Sequence, residues 1–301
     1  MNRAFVKIIS FCSVVFLLSF NNGFAADSPV ERAVKDGNLE LVKGMLESGA
    51  DANAIGEYTP LYWAARGKRM DLVKLLVKYK ADVNLRRQPL MSAIQYKSHE
   101  IADYLINEAN LRINDRVDYM GENTYLYHAI NYKNHKAMMS LLEKGASVID
   151  VNSPYNRSDL TPGRTNEARH RHIATAIDNG DPIAIRMLLE FGANPNNLGS
   201  SDFRNVLINT NGDAKVVEAF IRKGLNVKYV SNNGHKTILH DVVDAATKKA
   251  GFNKDSIKLI ITAGADINAK DGNNLTPIIY AMSLPKSNER DDLVLYLKKF
   301  Q

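Results

Sequence analysis

The chain has 301 residues, 45% apolar and 24% charged, a balance that excludes wholesale disorder. Its 39 Lys and Arg against 33 Asp and Glu give a formal charge of +6, too mild for a dedicated nucleic-acid binder. A single cysteine, Cys12, excludes a disulfide framework within one chain and a multi-cysteine zinc or iron–sulfur site.

The first element is a targeting signal. Arg3 and Lys7 form a positive start, Ile8 to Phe20 an apolar run too short to span a bilayer, and Gly23 and Ala25 the small residues of a cleavage site after Ala25. Residues 1–25 are therefore expected to be a secretory signal peptide. Its removal takes Arg3, Lys7 and Cys12 and no acid, which lowers the charge from +6 to +4 and leaves a chain without cysteine. Such a chain suits an oxidising compartment, where a free thiol is a liability. No later apolar run approaches the length of about 18 residues that a membrane span needs.

From residue 29 onward two signatures alternate. One opens a unit: Thr59-Pro60-Leu61-Tyr62-Trp63-Ala64-Ala65, Gln88-Pro89-Leu90-Met91-Ser92-Ala93-Ile94, Thr124-Tyr125-Leu126-Tyr127-His128-Ala129-Ile130, Thr237-Ile238-Leu239-His240 and Thr276-Pro277-Ile278-Ile279-Tyr280-Ala281-Met282. Looser openings stand at Arg171-His172-Ile173 and Asn205-Val206-Leu207. The other closes a unit: Gly49-Ala50-Asp51-Ala52-Asn53, Lys80-Ala81-Asp82-Val83-Asn84, Gly145-Ala146-Ser147-Val148, Gly192-Ala193-Asn194-Pro195-Asn196, Gly224-Leu225-Asn226-Val227 and Gly264-Ala265-Asp266-Ile267-Asn268.

Each residue type has a reason. Thr59 before Pro60 fits an N-cap followed by proline at the first helical position, where the missing N–H costs nothing. Ala64-Ala65 permits close helix approach. Asp71 to Leu76 begins a second short helix with an apolar stripe, and the closing glycines fall where it must stop in a left-handed residue. Asp-x-Asn then supplies turn chemistry.

The pattern resembles the ankyrin repeat over nearly all of residues 29–301. Residues 57–84 match position for position, apart from Lys68, Arg69 and Lys80, where the family prefers Gly, His and Gly. The resemblance implies an all-α fold, an ankyrin-repeat solenoid of helix-turn-helix units joined by hairpin loops, about eight repeats including caps. The unit near 205 is expected to have an inner helix about two residues short, and the unit near 237 an insertion around Asp244 to Gly251. Residues 150–169 form a long polar insertion. On the last helix Leu293, Val294 and Leu297 are expected inward, with Asp291, Asp292, Lys298 and Lys299 on the polar cap. The array is expected to behave as one domain.

The family resemblance implies protein binding through the concave surface of hairpin tips and inner-helix ends. Two segments there repeat 36 residues apart, Gln95-Tyr96-Lys97-Ser98-His99 and Asn131-Tyr132-Lys133-Asn134-His135. Arg66, Lys68 and Arg69 stand at the equivalent place one unit earlier. Tyrosine and arginine anchor interfaces, and the positive charge points to a partner with an acidic surface. The candidate binding residues are Arg66, Lys68, Arg69, Tyr96, Lys97, Tyr132 and Lys133, joined by Tyr155, Arg157 and Arg164 in the insertion. The competing reading of the ladder is that repeat ancestry copied residues that merely cover helix ends. Trp63 reads as packing between units.

No nucleophile elbow, phosphate-cradling loop or His-Glu-x-x-His motif is present, and His170 with His172 lacks acidic partners at metal spacing. The expectation is a non-catalytic protein without cofactor or metal, binding neither nucleic acid nor spanning a membrane, and acting as a monomer. A bacterial periplasmic adaptor is the first expectation. An immunity or inhibitor protein against a toxin or hydrolase, a secreted effector binding a host protein, and a protein meeting anionic envelope surfaces are the alternatives.

Overall fold

The computed structural model describes residues 27–85, 89–107, 110–117, 123–149, 171–198, 203–230, 235–248 and 252–301. The expected signal peptide and the 150–169 insertion, with Tyr155, Arg157 and Arg164, lie outside the described residues. The chain divides between Arg112 and Ile113 into two compact units.

Among the described residues, unit 1 holds three helix pairs: α1 (Pro29–Lys35) with α2 (Leu39–Glu47), α3 (Pro60–Arg66) with α4 (Met70–Lys78), and α5 (Pro89–Gln95) with α6 (His99–Asn107). Among the described residues, unit 2 holds five: α7 (Tyr125–Asn131) with α8 (His135–Glu143), α9 (Arg171–Asp178) with α10 (Pro182–Glu190), α11 (Phe203–Asn209) with α12 (Ala214–Arg222), α13 (Ile238–Lys248) with α14 (Lys254–Thr262), and α15 (Pro277–Ser283) with α16 (Asn288–Leu297). Within each unit the first, inner helices of successive pairs pack on one another, and the outer helices do the same as far as α14, whereas α16 packs on α15 and α13. A repeat of this size cannot bury an apolar face alone, so stacking makes the core. Leu61, Leu72, Leu76, Leu90, Ile94, Leu105 and Ile106 are fully buried in unit 1, as are Tyr125, Leu126, Ile130, Met138 and Phe220 in unit 2. Each contributes about 1.5–3 kcal/mol relative to exposure.

The caps follow the sequence. The side-chain oxygens of Ser28, Thr59, Thr124 and Thr276 accept from the backbone N–H three residues on. The outer helices end in left-handed residues at Gly49, Gly145, Gly192, Gly224 and Gly264 (φ 88°, 96°, 100°, 90° and 99°). At the closing loops, Asp51, Asp82, Asn194 and Asp266 accept from the N–H two residues later, in Asx turns. The next asparagine reaches into the neighbouring repeat. Asn53 Nδ2 donates to Lys80 O and its Oδ1 accepts from Asp82 N (3.2 and 2.7 Å). Asn84 does the same with Asn110 O and Arg112 N (both 2.8 Å), and Asn196 with Gly224 O and Asn226 N (2.9 and 2.7 Å).

Two expectations change. Helix α11 spans Phe203–Asn209, seven residues, the same as α3. The irregularity lies in the turn after it, where Asn211 and Gly212 are both left-handed (φ 53° and 63°). The extra residues near 244 partly continue α13, which reaches Lys248 and is 11 residues long. On α16, Leu293, Val294 and Leu297 are buried, as expected.

Candidate functional site

Helix α3 ends at Arg66 and α5 at Gln95. Both turns close in the same way. Lys68 N donates to Ala65 O and Arg69 N to Ala64 O; Lys97 N donates to Ile94 O and Ser98 N to Ala93 O. This paired arrangement requires a left-handed residue at its centre, a place that favours glycine. Gly37 occupies it after α1 (φ 69°), but Lys68 and Lys97 occupy it after α3 and α5 (φ 56° and 53°). A side chain in that conformation costs roughly 1–2 kcal/mol. The turn also leaves both lysines exposed.

The side chains beside this turn form an aromatic and cationic cluster. The guanidinium of Arg66 lies 4.9 Å from the centre of the Trp63 ring and 5.6 Å from that of Tyr96. Tyr62 stacks on Tyr58 at 4.1 Å, and Trp63 meets both edge-on at 5.5 and 5.4 Å. Burial, and then the neighbouring Tyr58, push the Tyr62 hydroxyl above its ordinary pKa, while the nearby Arg66 opposes that rise. Trp63 is anchored from behind. Its Nε1–H donates to Glu31 Oε1 at 2.7 Å, an oxygen that also accepts from Tyr58 N and lies 3.2 Å from Lys35 Nζ. Glu31 is fully buried, and its other oxygen packs where a Cβ on Gly56 would come within 2.0 Å. Only a glycine permits that approach.

The cations here differ in how far they are compensated. Lys35 sits 4.2 Å from the centre of the Trp63 ring but pairs with Asp27 and Glu31. Burial alone would lower its pKa; the hydrogen bonds to those carboxylates raise it on balance. Arg69 is bound on both sides, donating to Gly37 O at 3.1 Å and pairing with Asp71 at 3.0 Å. That pairing holds the Asp71 carboxyl below its ordinary range. Arg69 thus joins two repeats, a packing role beside its candidacy as a binding residue. Arg66, Lys68 and Lys97 make no salt bridge to any described residue, and Tyr96 is 38% exposed. The cluster therefore brings Arg66, Lys68, Tyr96 and Lys97 to one place and adds Lys35, Tyr58 and Tyr62, which sequence reasoning passed over. The available signal was Tyr58 and Tyr62 flanking the Thr59-Pro60 cap.

In unit 2, Tyr132 caps α7, half-buried, with its ring stacked on His128 at 6.3 Å. Lys133 is left-handed (φ 49°) and donates to Asn179 O of the next repeat at 2.9 Å. His135 Nε2 meets Asp181 Oδ2 at 2.7 Å, where Asp181 also caps α10. A second polar cluster joins the last repeats. Tyr280 OH donates to Asp244 Oδ1 (2.6 Å), and Lys236 Nζ donates to Asp244 Oδ2 and Tyr280 OH (2.9 and 2.7 Å). Burial would raise the Asp244 pKa, but these hydrogen bonds bring it below the ordinary value. The opening-motif His240 is fully buried. It accepts at Nδ1 from Thr237 N (3.3 Å) and bridges from Nε2 to Leu275 O of the next loop (3.0 Å). Among the described residues no group of three or more His, Cys, Asp or Glu is arranged to hold a metal ion. No described helix is long and apolar enough to cross a membrane.

The family model for ankyrin repeats matches residues 30–117 in three copies. A palmitoyltransferase, AKR1, of Lachancea kluyveri is 25% identical over 257 residues, covering 79% of this chain and 33% of the relative. The putative ankyrin repeat protein FPV022 of fowlpox virus is 23% identical over 88% of this chain and 40% of its own length. The NF-kappa-B inhibitor cactus of Drosophila yakuba is 31% identical over 107 residues, 33% of this chain and 22% of the relative. The chain thus spans less than half the length of each. Among solved structures, the ankyrin repeat domain of Bcl-3 aligns over 90% of this chain and 99% of its own, at 21% identity and a TM-score of 0.43.

Proposed function

We propose a function from the premise that this chain is an ankyrin-repeat protein: it is a non-catalytic module that binds a protein partner bearing an acidic surface. The observation that carries this reading is the exposed group Arg66, Lys68, Tyr96 and Lys97 at the inner-helix ends of unit 1. Its cations have no carboxylate partner among the described residues, and two of them stand on a backbone conformation that lysine disfavours. Packing needs neither feature. Tyr132 and Lys133 repeat the motif in unit 2 and are included in the proposal, as are Tyr155, Arg157 and Arg164. Residues 1–25 carry the second part of the proposal: export, and action as a monomeric adaptor in a bacterial periplasm or beyond it.

Affinity purification of the mature chain from the periplasm, beside its Tyr96→Ala variant, tests the reading. A captured partner should be lost from the variant by the equivalent of more than about 2 kcal/mol, the threshold for an interface hot spot, with the melting temperature nearly unchanged. Equal capture by both chains would remove this surface from the interaction. A toxin or hydrolase in the captured fraction would identify an inhibitor. Recovery of the protein from the culture supernatant with a host protein would identify an effector.

A further inference from the structure

Arg66 is an exposed cation of unit 1 flanked by two aromatic rings. Its guanidinium lies against the Trp63 ring at 4.9 Å and the Tyr96 ring at 5.6 Å, close to the Tyr62 hydroxyl. Trp63 is itself held by the buried Glu31. Aromatic rings at two successive inner-helix ends therefore flank the planar fork of an exposed residue. A guanidinium is weakly hydrated and matches a carboxylate in a bidentate pair, so a pre-positioned fork loses little freedom on binding one. Lys35, which ends the inner helix of the preceding repeat and shares the Trp63 ring with Arg66, already carries Asp27 and Glu31. Arg69 carries Asp71. Acidic side chains of this unit thus compensate Lys35 and Arg69 but make no salt bridge to Arg66. Lys68 and Lys97, one turn on in each repeat, are exposed and face no acid among the described residues.

We propose that Arg66 is a carboxylate receptor, binding a Glu or Asp side chain of an extended acidic peptide segment in bidentate fashion, with Lys68 and Lys97 holding the flanking carboxylates. This rests on the protein-binding reading above and names the chemistry of the partner at that surface. The chain carries its own reporter, since Trp63 is its single tryptophan and lies against Arg66.

The test is a titration of the full mature chain with an oligo-glutamate peptide, read by Trp63 fluorescence at low and at physiological salt. The expected result is a saturable change that weakens as salt rises. Arg66→Lys keeps the charge but not the fork, so it should weaken binding at least tenfold. Lys97→Met should weaken it less, and oligo-glutamine should give no change. A thermal melt matching that of the unmodified chain shows that each variant is folded. No fluorescence change with oligo-glutamate overturns the proposal. So does an Arg66→Lys titration that superimposes on the original, which would reduce the site to unspecific positive charge. A response to inorganic polyphosphate without one to oligo-glutamate also overturns it and assigns the site to phosphate. Failure here is separable from failure of the wider reading. If Arg66→Lys captures the native partner at the original level while Tyr96→Ala does not, the surface binds a partner without a carboxylate at Arg66. If both capture it equally, the surface itself is not used.

Discussion

Three lysines at equivalent turn positions, Lys68, Lys97 and Lys133, hold φ of 56°, 53° and 49°, where Gly37 and Gly180 stand in other repeats. Glycine adopts this conformation freely, whereas a side chain adopts it at a cost of roughly 1–2 kcal/mol. Glycine also has more unfolded-state freedom to lose, which offsets part of the gain. Lys68→Gly and Lys97→Gly are each therefore expected to stabilise the fold by about 0.5–1 kcal/mol, measured as a higher urea midpoint at unchanged slope, whereas Lys133→Gly also loses the hydrogen bond to Asn179 O and should gain less. The same change at Lys68 or Lys97 should weaken oligo-glutamate binding. A gain in stability with a loss of binding would mark the lysines as kept for their charge; lower stability on Lys→Gly would show that their aliphatic stems cover something the fold needs. The equivalence of these positions was legible from the sequence, because the segments around Lys97 and Lys133 nearly repeat. Their left-handed backbone was not, because lysine gives no local signal for it and only register against Gly37 reveals it.

The helices were legible because their signals are local. Thr-Pro marks a start, Gly a stop, and the apolar stripe between them an inward face. What joins one repeat to the next was less legible. Asp-x-Asn reads as turn chemistry, and Asp51, Asp82 and Asp266 do close turns. Asn53, Asn84 and Asn196 instead span the gap between repeats, each donating to a carbonyl and accepting from an N–H. Their partners are backbone groups, which leave no mark in a sequence. Helix α13 runs past Asp244 to Lys248 where a plain insertion was expected, and Asp244, at the place where α3 ends, meets the side chains of Lys236 and Tyr280. Net hydrogen-bond contributions run at about 0.5–1.5 kcal/mol each. Asn84→Ala should therefore destabilise by about 1–2 kcal/mol, with Asn84→Asp, which keeps the acceptor and loses the donor, falling between. Urea denaturation of the two variants checks this, and an Asn84→Ala midpoint equal to the original would reduce the bridge to a surface contact.

At the scale of the whole molecule, the response to acid follows from a few buried polar groups. Unit 2 contains His240, fully buried, with Nδ1 accepting from Thr237 N and Nε2 directed at Leu275 O. Only the neutral ring with its proton on Nε2 satisfies both contacts, because a protonated Nδ1 has no lone pair to offer. Burial pushes its pKa below the ordinary value of 6.5, against the pull of the Leu275 carbonyl and of Asp271 and Asp244, and with Lys236 acting in the same direction as burial. The unfolded chain therefore takes up a proton near pH 6.5 that the folded chain refuses until lower pH. The contribution of this residue is complete above about pH 6.5 and is lost as pH falls from there through the folded pKa, with a slope of at most about 1.4 kcal/mol per pH unit. Asp244 behaves the same way at lower pH. Its folded pKa is depressed, so its contribution persists until acidity passes below about pH 4. Thermal melts followed by circular dichroism should thus shift to lower temperature between about pH 7.5 and pH 5.5. His240→Gln can still accept from Thr237 and donate to Leu275 but cannot be protonated, so its shift over the same interval should be smaller. An equal shift in the two chains would place the acid sensitivity elsewhere. Trp63 reports from unit 1 alone, so melts followed by its fluorescence beside those followed by circular dichroism also test whether the units unfold together: coincident curves at both pH values require one cooperative transition, whereas a fluorescence midpoint that stays higher at pH 5.5 requires unit 2 to open first.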